Sequence, residues 1–231
     1  MILRHISKEL RAERIVTRRW AIDACKTFFH LTDTDEQTIA GVEGTQRLQL
    51  LWKSHPDTFY EHPLQILRQE WFHAIKTWYR HDGFWLPLPP HARVLDYGCG
   101  TGEVARLPWI FRGGHLDAVE HSTACRAYLQ QKYCKWSVTV LKTMPTLEGD
   151  SLYDAIICTD VLEHLPDPLA IQQHLWEYLK PKGYALLKFA TEWPHPGHLR
   201  EAIAQREKWK DWLRNHADII ENDTYCWCQK R

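Results

Sequence analysis

The sequence predicts an α/β fold, in which a doubly wound, mostly parallel sheet of seven strands follows an N-terminal cap of helices. Three observations lead to this prediction. From residue 91 onward, short apolar runs alternate with helical patterns, as they do where helices connect parallel strands. The stiff segment at residues 86–90 (LPLPP) separates this region from the helical patterns before it. The first apolar run of the second region leads into a turn that contains three glycines.

The composition is that of an ordinary globular protein. Of the 231 residues, 44% are hydrophobic and 25% are charged, which allows a sizeable buried core. The formal net charge is +0, so no overall field steers the molecule to nucleic acid or to a membrane. The seven cysteines include no C-x-x-C pair, which argues against a disulfide framework and a structural zinc site and favours reduced thiols in the cytoplasm. We find no apolar run long enough to span a bilayer.

Residues 1–30 carry apolar side chains at roughly helical spacing, which predicts one or two amphipathic helices. Residues 4–19 of this segment carry basic residues interleaved with Glu9 and Glu13, and the basic residues are Arg4, Lys8, Arg11, Arg14, Arg18 and Arg19. A solvated helix face, an organelle-targeting helix and a nucleic-acid contact all fit this pattern, and the solvated face is the simplest of the three.

Three further helices are predicted before residue 90. Residues 34–37 (TDEQ) are expected to form a capping box that opens a short helix, which Gly41 and Gly44 interrupt. A second helix over residues 47–52 ends before Pro56. Pro63 suits the first turn of a longer helix that runs from residue 64 to about residue 79.

The region from residue 91 is predicted to alternate between strands and helices. The predicted strands are the run at 94–95, then 115–120, 138–141, 154–159 and 184–189, with a closing hairpin at 219–220 and 225–228. The predicted helices are 103–111, 123–133, a helix that Asp167 caps and Pro168 begins, and 196–216. Residues 180–183 (KPKG) are predicted to form a turn before the fifth strand.

The glycine turn has the spacing D-x-G-x-G-x-G, from Asp96 through Gly98 and Gly100 to Gly102. A dinucleotide-binding fold needs G-x-G-x-x-G, but Glu103 stands where the third glycine of that pattern would be. The N–H groups that begin the following helix face whatever lies over the turn and can hold polar or anionic groups of a ligand. The pattern therefore predicts a binding site, but not one for a dinucleotide.

Together with Glu120 at the end of the second strand, this turn resembles the class I S-adenosylmethionine-dependent methyltransferases, whose fold is Rossmann-like. The resemblance implies that S-adenosylmethionine is the cofactor and that the turn lies along its methionine part and ribose. It also implies that Asp96 lies near the cofactor ammonium group and that Glu120 accepts both ribose hydroxyls, as a carboxylate can. The alternative is a structural turn beside a surface glutamate.

Two later segments are similar to the ubiquinone-pathway type of methyltransferase, and they are residues 153–168 (YDAIICTDVLEHLPDP) and 179–184 (LKPKGY). The similarity covers about residues 91–190 and implies that Asp160 also binds the cofactor. One departure concerns adenine. Family members often carry an acidic residue after the third strand, where this chain has Leu141-Lys142-Thr143-Met144. We therefore expect Met144 to give the adenine a soft packing surface.

Methyl transfer from a sulfonium is an in-line displacement, so the main work of the protein is to align donor and acceptor. A hydroxyl or a protonated amine must also lose a proton to a base. His164, which follows the fourth strand, is the first candidate for that base, and His195 and His198 are the next. The alternative for each histidine is a polar wall or a helix cap.

Asp160, Glu163 and His164 would share one face of a helix, where a later histidine would complete a mixed oxygen and nitrogen metal site. Such constellations resemble the metal sites of ubiquinone-pathway O-methyltransferases and of enzymes that methylate the 3′ ends of small RNAs. A divalent ion would lower the pKa of an acceptor hydroxyl. Three polar residues at the start of a capped helix would look the same in the sequence, so no metal ligand is assigned.

We predict two domains, which are a helical cap over residues 1–90 and an S-adenosylmethionine-binding methyltransferase domain over residues 91–231. By analogy with small-molecule methyltransferases, the cap is expected to cover the strand ends as a lid. Its aromatic residues are expected to line an apolar acceptor pocket or to form plain core, and they are Trp71, Phe72, Trp78, Tyr79, Phe84 and Trp85.

The predicted function is S-adenosylmethionine-dependent methylation of a small aromatic or hydrophobic acceptor at oxygen. Two alternatives stay open. An RNA-end ribose 2′-O methyltransferase would use the basic N-terminal helices, and it would show steep salt dependence. A non-catalytic partner subunit would use exposed aromatic residues as an interface. The sequence leaves the oligomeric state open.

Overall fold

A computed structural model of the chain describes residues 19–40, 42–75, 88–102, 113–146, 152–189, 197–222 and 226–231. The chain divides into two compact units, residues 1–85 and 86–231, and each is described by itself. Several predictions fall outside the described residues. They concern residues 1–18, Gly41, the helix at 103–111, His195, and the aromatic residues Trp78, Tyr79, Phe84 and Trp85.

The first unit is helical. Its described elements are α1 (residues 19–29), α2 (Asp33–Ala40), α3 (Val42–Ser54), a 3-10 helix (Pro56–Glu61) and α4 (Pro63–Ile75). Pro63 occupies the first position of α4, as predicted, because a helix leaves the N–H of that position unbonded. The buried side chains of this unit include Ile39, Phe59, Ile66 and Leu67, which lie on α2, the 3-10 helix and α4.

Two predictions for the first unit are wrong in detail. The capping box is formed two residues earlier than predicted, since Thr32 Oγ1 accepts from the N–H of Asp35 at 3.2 Å while Asp35 Oδ2 accepts from the N–H of Thr32 at 2.8 Å. Gly44 lies inside α3 rather than interrupting a helix. A Cβ at Gly44 would lie 2.5 Å from the carbonyl oxygen of Ile39, so glycine allows α3 to pass close to α2.

The second unit contains one seven-stranded sheet with the order β3-β2-β1-β4-β5-β7-β6. The strands are β1 (Arg93–Tyr97), β2 (His115–Val119), β3 (Val138–Leu141), β4 (Tyr153–Thr159), β5 (Leu179–Lys188), β6 (Ala217–Asn222) and β7 (Cys226–Lys230). Strands β1 to β5 pair in parallel, whereas β7 pairs antiparallel with both β5 and β6. The predicted fold class and closing hairpin are confirmed.

The described helices of this unit are α5 (Thr123–Lys132), a 3-10 helix (Leu162–His164), α6 (Pro168–Glu177), α7 (Arg200–Ala204) and α8 (Arg206–His216). Asp167 caps α6 as predicted, since its Oδ1 accepts from the N–H of Ala170 at 3.0 Å. The predicted turn at residues 180–183 lies within β5 instead. It forms an irregularity there, because the register passes from Tyr153–Leu179 to Ala155–Tyr184 and Lys182 takes a φ of +61°.

The core of the second unit lies on both sides of its central strands. The consecutive residues Val94 and Leu95 of β1 point to opposite faces and are both buried, and Trp209 and Leu213 of α8 pack into the same cluster as Leu95. Strands covered on both faces explain the near-continuous apolar runs in the sequence. Among the described residues, we find no helix that combines the length and the apolar character needed to cross a membrane.

Candidate functional site

The carboxyl ends of β1, β2 and β4 lie at one edge of the sheet, because these strands are parallel neighbours. The segment after β1 is the glycine turn, Glu120 follows β2, and the segment from Asp160 to His164 follows β4. Ligands of open α/β sheets bind outside this edge. The fold thus places the predicted site residues that follow these three strands along one edge of the sheet.

The glycine turn needs glycine for both conformation and space. Gly98, Gly100 and Gly102 have φ values of +72°, +52° and +75°, which lie in the left-handed region. A Cβ on Gly98 would lie 2.4 Å from Val161 Cγ2, so the segment after β4 packs directly on the turn. The turn and the end of β4 therefore form one contiguous surface.

Glu120 is held over this turn by two backbone groups. Its Oε2 accepts from the N–H of Gly100 at 2.9 Å, and its Oε1 accepts from the N–H of Ser122 at 2.8 Å. A carboxylate offers about four acceptor positions, so each oxygen can accept a further hydrogen bond. Ser122 also caps α5, because its hydroxyl accepts from the N–H of Cys125 at 3.1 Å. The carboxylate is thus fixed in orientation and can still bind a ligand.

Acidic side chains surround two buried thiols at this edge. Burial, with the neighbouring carboxylates of Asp96 and Glu120, raises the pKa of Cys99 well above its usual value. Burial, with the carboxylates of Glu163, Asp96 and Asp160, does the same to the pKa of Cys158. These thiols stay protonated at neutral pH, so neither is suited to act as a nucleophile. Asp96 itself is 3% exposed and lies at the base of the turn.

Two histidines and a glutamate form a second group at this edge. Glu163 is fully buried and His198 is nearly so, and Glu163 Oε1 lies 3.9 Å from His198 Nε2. The rings of His164 and His198 meet edge to face with centroids 4.9 Å apart. One ligand atom from each of the three residues lies within 4.8 Å of the other two, which is a spacing that could hold a metal ion.

His164 has a defined tautomer when it is neutral. Its Nδ1 lies 2.8 Å from the carbonyl oxygen of Gly197, which can only accept, so Nδ1 carries the proton. The lone pair then lies on Nε2, which is the atom that can take a proton or bind a metal. A backbone carbonyl on the other ring nitrogen is also the usual support of a metal-binding histidine.

The predicted grouping of Asp160 with Glu163 and His164 on one helix face is wrong. The helix in this segment is a 3-10 helix that comprises only Leu162–His164. Asp160 lies before it, with a φ of +57°. The Asp160 carboxylate instead binds Lys188 on β5, with Nζ to Oδ1 at 2.5 Å and Nζ to Oδ2 at 2.6 Å. His198, from the segment before α7, takes the third place of the group. The cofactor-binding role of Asp160 stays a prediction.

Sequence reasoning overlooked Lys188, Lys132 and Tyr133. Lys188 ends the apolar run of β5, and a lone lysine at the carboxyl end of a buried strand was a usable signal. Lys132 and Tyr133 lie at the end of α5, and their contacts with the glycine turn are formed across about thirty residues of sequence. Met144 is half-buried after β3, and its contact with adenine stays a prediction.

Comparison with known proteins gives one family. A model of the methyltransferase domain family matches residues 66–231. The ubiquinone biosynthesis O-methyltransferase of Rickettsia prowazekii is 30% identical over 99 residues, which are 41% of this chain and 38% of that protein. The enzyme of the same name from Xanthomonas campestris pv. campestris is 34% identical over 119 residues, which are 46% of each chain. The chain thus spans less than half of the length of these relatives.

Two solved structures are similar in fold. A SAM-dependent methyltransferase from Aquifex aeolicus has a TM-score of 0.50 and 20% identity, with 68% of this chain and 89% of that chain covered. A SAM-dependent methyltransferase from Leishmania major has a TM-score of 0.52 and 13% identity, with 79% and 90% covered. At these identities the similarity establishes the shared fold.

Proposed function

Since the chain belongs to the methyltransferase domain family, we propose that it transfers a methyl group from S-adenosylmethionine to an oxygen of a small aromatic or otherwise hydrophobic acceptor. The observation that carries the proposal is the carboxylate of Glu120, which the N–H groups of Gly100 and Ser122 hold over the glycine turn. A carboxylate fixed in this way can accept hydrogen bonds from two neighbouring hydroxyls of a ribose.

The remaining cofactor contacts follow from the same edge. Asp96 would balance the ammonium group of the methionine part, and Asp160 would lie further along that part. Gly98, Gly100 and Gly102 hold the turn in left-handed backbone conformations that are unfavourable for residues with a Cβ, and so they fix the path of the backbone along the ligand. Met144 would pack against the adenine.

One feature favours oxygen as the methyl acceptor, and a second supplies the base that a hydroxyl or a protonated amine needs. The curated relatives are named as O-methyltransferases. His164 also provides a base, because hydrogen bonding of Nδ1 to Gly197 leaves Nε2 with the lone pair. In the proposed reaction the acceptor oxygen forms a bond to the methyl carbon, the bond from that carbon to sulfur breaks, and the hydroxyl proton moves to His164 Nε2.

The group of Glu163, His164 and His198 also fits a divalent metal ion. One carboxylate and two imidazoles form a mixed oxygen and nitrogen donor set, and the hydrogen bond at His164 Nδ1 orients that ring. A bound ion would take the lone pair of His164 Nε2, and it would then replace this histidine as the activating group by lowering the pKa of an acceptor hydroxyl. If activity depends on a metal, a chelator should abolish it, and a Glu163→Ala, His164→Ala double variant should no longer respond to added ion.

The cofactor proposal is tested by titration calorimetry with S-adenosylmethionine. We expect binding by the wild-type protein and a large loss in Glu120→Ala, whereas Glu177→Ala, which removes an exposed glutamate on α6, should bind normally. Absence of binding at millimolar cofactor, or unchanged binding by Glu120→Ala, would refute the proposal. The acceptor class is then tested by cofactor turnover with small hydroxylated aromatic compounds and with short RNA.

A further inference from the structure

We propose that helix α5 positions the cofactor-binding turn, and that Lys132 and Tyr133 are the positioning residues that hold it. The inference rests on the proposed function, because it takes the glycine turn as the binding site of S-adenosylmethionine. It identifies residues that affect cofactor affinity by supporting the turn from the side that faces α5. These residues are far from the glycines in the sequence.

Three successive carbonyl groups of the turn accept hydrogen bonds from side chains of α5 or its C-cap residue. The thiol of Cys125 donates to Gly100 O at 3.1 Å. The ammonium group of Lys132 donates to Thr101 O at 2.8 Å, and the hydroxyl of Tyr133 donates to Gly102 O at 2.7 Å. Because all three carbonyls face α5, the orientation of three consecutive peptide groups depends on this helix.

The spacing along α5 brings these donors to one face. Counted from Cys125, the residues Leu129, Lys132 and Tyr133 come four, seven and eight positions later. This spacing places all four along a single side of the helix. The apolar part of that side touches the turn as well. A Cβ on Gly102 would lie 2.7 Å from Leu129 Cδ2 and 2.8 Å from Tyr133 Cε2. The turn therefore rests on α5 through both apolar and polar contacts.

Lys132 is unusual because its side chain is buried, with only 7% of the residue exposed. Lysine is almost never buried to this extent unless its charge is compensated. Here the ammonium lies 5.1 Å from the ring centroids of both Tyr128 and Tyr133, in addition to its hydrogen bond to Thr101 O. Two aromatic faces and one carbonyl hold the cation in a single place under the turn.

The same helix supports the other half of the site. Ser122 caps α5 and donates its backbone N–H to Glu120, while Arg126 Nη1 donates to the carbonyl of Glu120 at 2.8 Å. Both the turn that faces the methionine part and the acid proposed to bind the ribose therefore rest on α5. Movement of the turn relative to Glu120 would separate two contacts that the cofactor needs at the same time.

The test measures cofactor affinity in Lys132→Met, which removes the donor and the charge but keeps an unbranched side chain, and in Tyr133→Phe, which removes only the hydroxyl. Each change leaves a buried carbonyl without its donor, so we expect the Kd for S-adenosylmethionine to rise by about 10-fold. In steady-state assays the KM for the cofactor should rise by a similar factor, while kcat at saturating cofactor changes little. Lys132→Arg should recover part of the affinity.

Lys135→Met is the matched control, because Lys135 is exposed just beyond the end of the helix and should be neutral on substitution. A second measurement follows amide hydrogen exchange in residues 98–102 without ligand, which should be faster in Lys132→Met than in the control. If the variants bind the cofactor with wild-type Kd, the inference is wrong, whatever happens to their thermal stability. If the wild-type protein fails to bind, both the inference and the proposed function fall.

Discussion

Glycine at position 98 serves two purposes that a sequence pattern cannot separate. Its φ of +72° favours glycine over any residue with a Cβ, and the space where a Cβ would lie is filled by Val161. The D-x-G-x-G-x-G spacing suggested the first requirement. The second depends on Val161, which follows β4, lies 63 residues later in the chain and becomes a neighbour only in the folded sheet.

Gly98→Ala should destabilise the protein by at least about 1 kcal/mol, because the left-handed backbone is unfavourable with a Cβ and the added methyl meets Val161. A Gly98→Ala, Val161→Ala double variant removes the clash but keeps the backbone penalty. The free energy of unfolding should therefore fall less between Val161→Ala and the double variant than between wild type and Gly98→Ala. Urea denaturation of the four proteins gives the comparison. Equal stability of Gly98→Ala and wild type would contradict both the left-handed conformation of Gly98 and its packing against Val161.

His164 offers a separate test of the proposed base. His164→Ala should lower kcat by about 10²- to 10⁴-fold, the range that positioned general bases contribute, and should leave the Kd for S-adenosylmethionine unchanged. His174→Ala, which removes a half-exposed histidine on α6, serves as the control. A His164→Ala enzyme with wild-type kcat would show that another group takes the proton.

Predictions from the sequence were most accurate for elements whose signals are local. The cap of α6, the bounds of β3 and the closing hairpin depend on neighbouring residues and were found. The candidate site residues divide in the same way, because Glu120 directly follows β2 and His164 lies in the short helix after β4, whereas the pairing of Asp160 with Lys188 joins the ends of β4 and β5. His198 lies beside Glu163 because of the backbone conformation of residues 197–199, and the periodicity of apolar residues in the sequence does not predict that conformation.

At the scale of strands, a polar cluster joins the amino ends of β1, β2 and β4, away from the candidate site. Asp117 on β2 accepts from Tyr153 OH at 2.7 Å, from Arg93 Nη2 at 3.0 Å and from His115 Nε2 at 3.1 Å. Burial alone would raise the pKa of Asp117, but the three hydrogen bonds outweigh burial and lower it. Burial, together with the hydrogen bond to Asp117, raises the pKa of Tyr153.

This cluster should make stability depend on pH in the acid range. Because the folded-state pKa of Asp117 lies below the unfolded value of about 3.9, its carboxylate contributes stability that is present above that pH. The contribution is lost as the pH falls through the folded-state pKa. Wild type should therefore be more stable than Asp117→Asn at pH 7, and the difference should shrink below about pH 4.

The measurement is urea denaturation of both proteins at several pH values, with Asp211→Asn as the control. Asp211 lies on the exposed side of α8, and its only described ion pair is with Arg214. A difference between wild type and Asp117→Asn that grows toward low pH would show that the carboxylate is not stabilised in the folded state.

For the whole molecule, the strand order brings the site together. The chain crosses from β1 outward to β2 and β3 and then returns to place β4 on the other side of β1. The glycine turn therefore lies between Glu120 and the group around Glu163, although these residues are far apart in sequence. The balance of 29 basic and 29 acidic residues gives the molecule no overall attraction to nucleic acid, which agrees with the proposed small aromatic or hydrophobic acceptor.

Cofactor binding at a site assembled from three strands and α5 should stabilise the second unit as a whole. A ligand that binds only the folded state at 100 times its Kd adds about 2.7 kcal/mol, which for a protein of this size corresponds to a rise in Tm of roughly 5 to 10 °C. Differential scanning fluorimetry with S-adenosylhomocysteine, the product of the proposed reaction, measures this shift. Glu120→Ala should lose most of the shift at the same ligand concentration, whereas Glu177→Ala should keep it. A full shift in Glu120→Ala would mean that the ligand binds somewhere other than the edge formed by β1, β2 and β4.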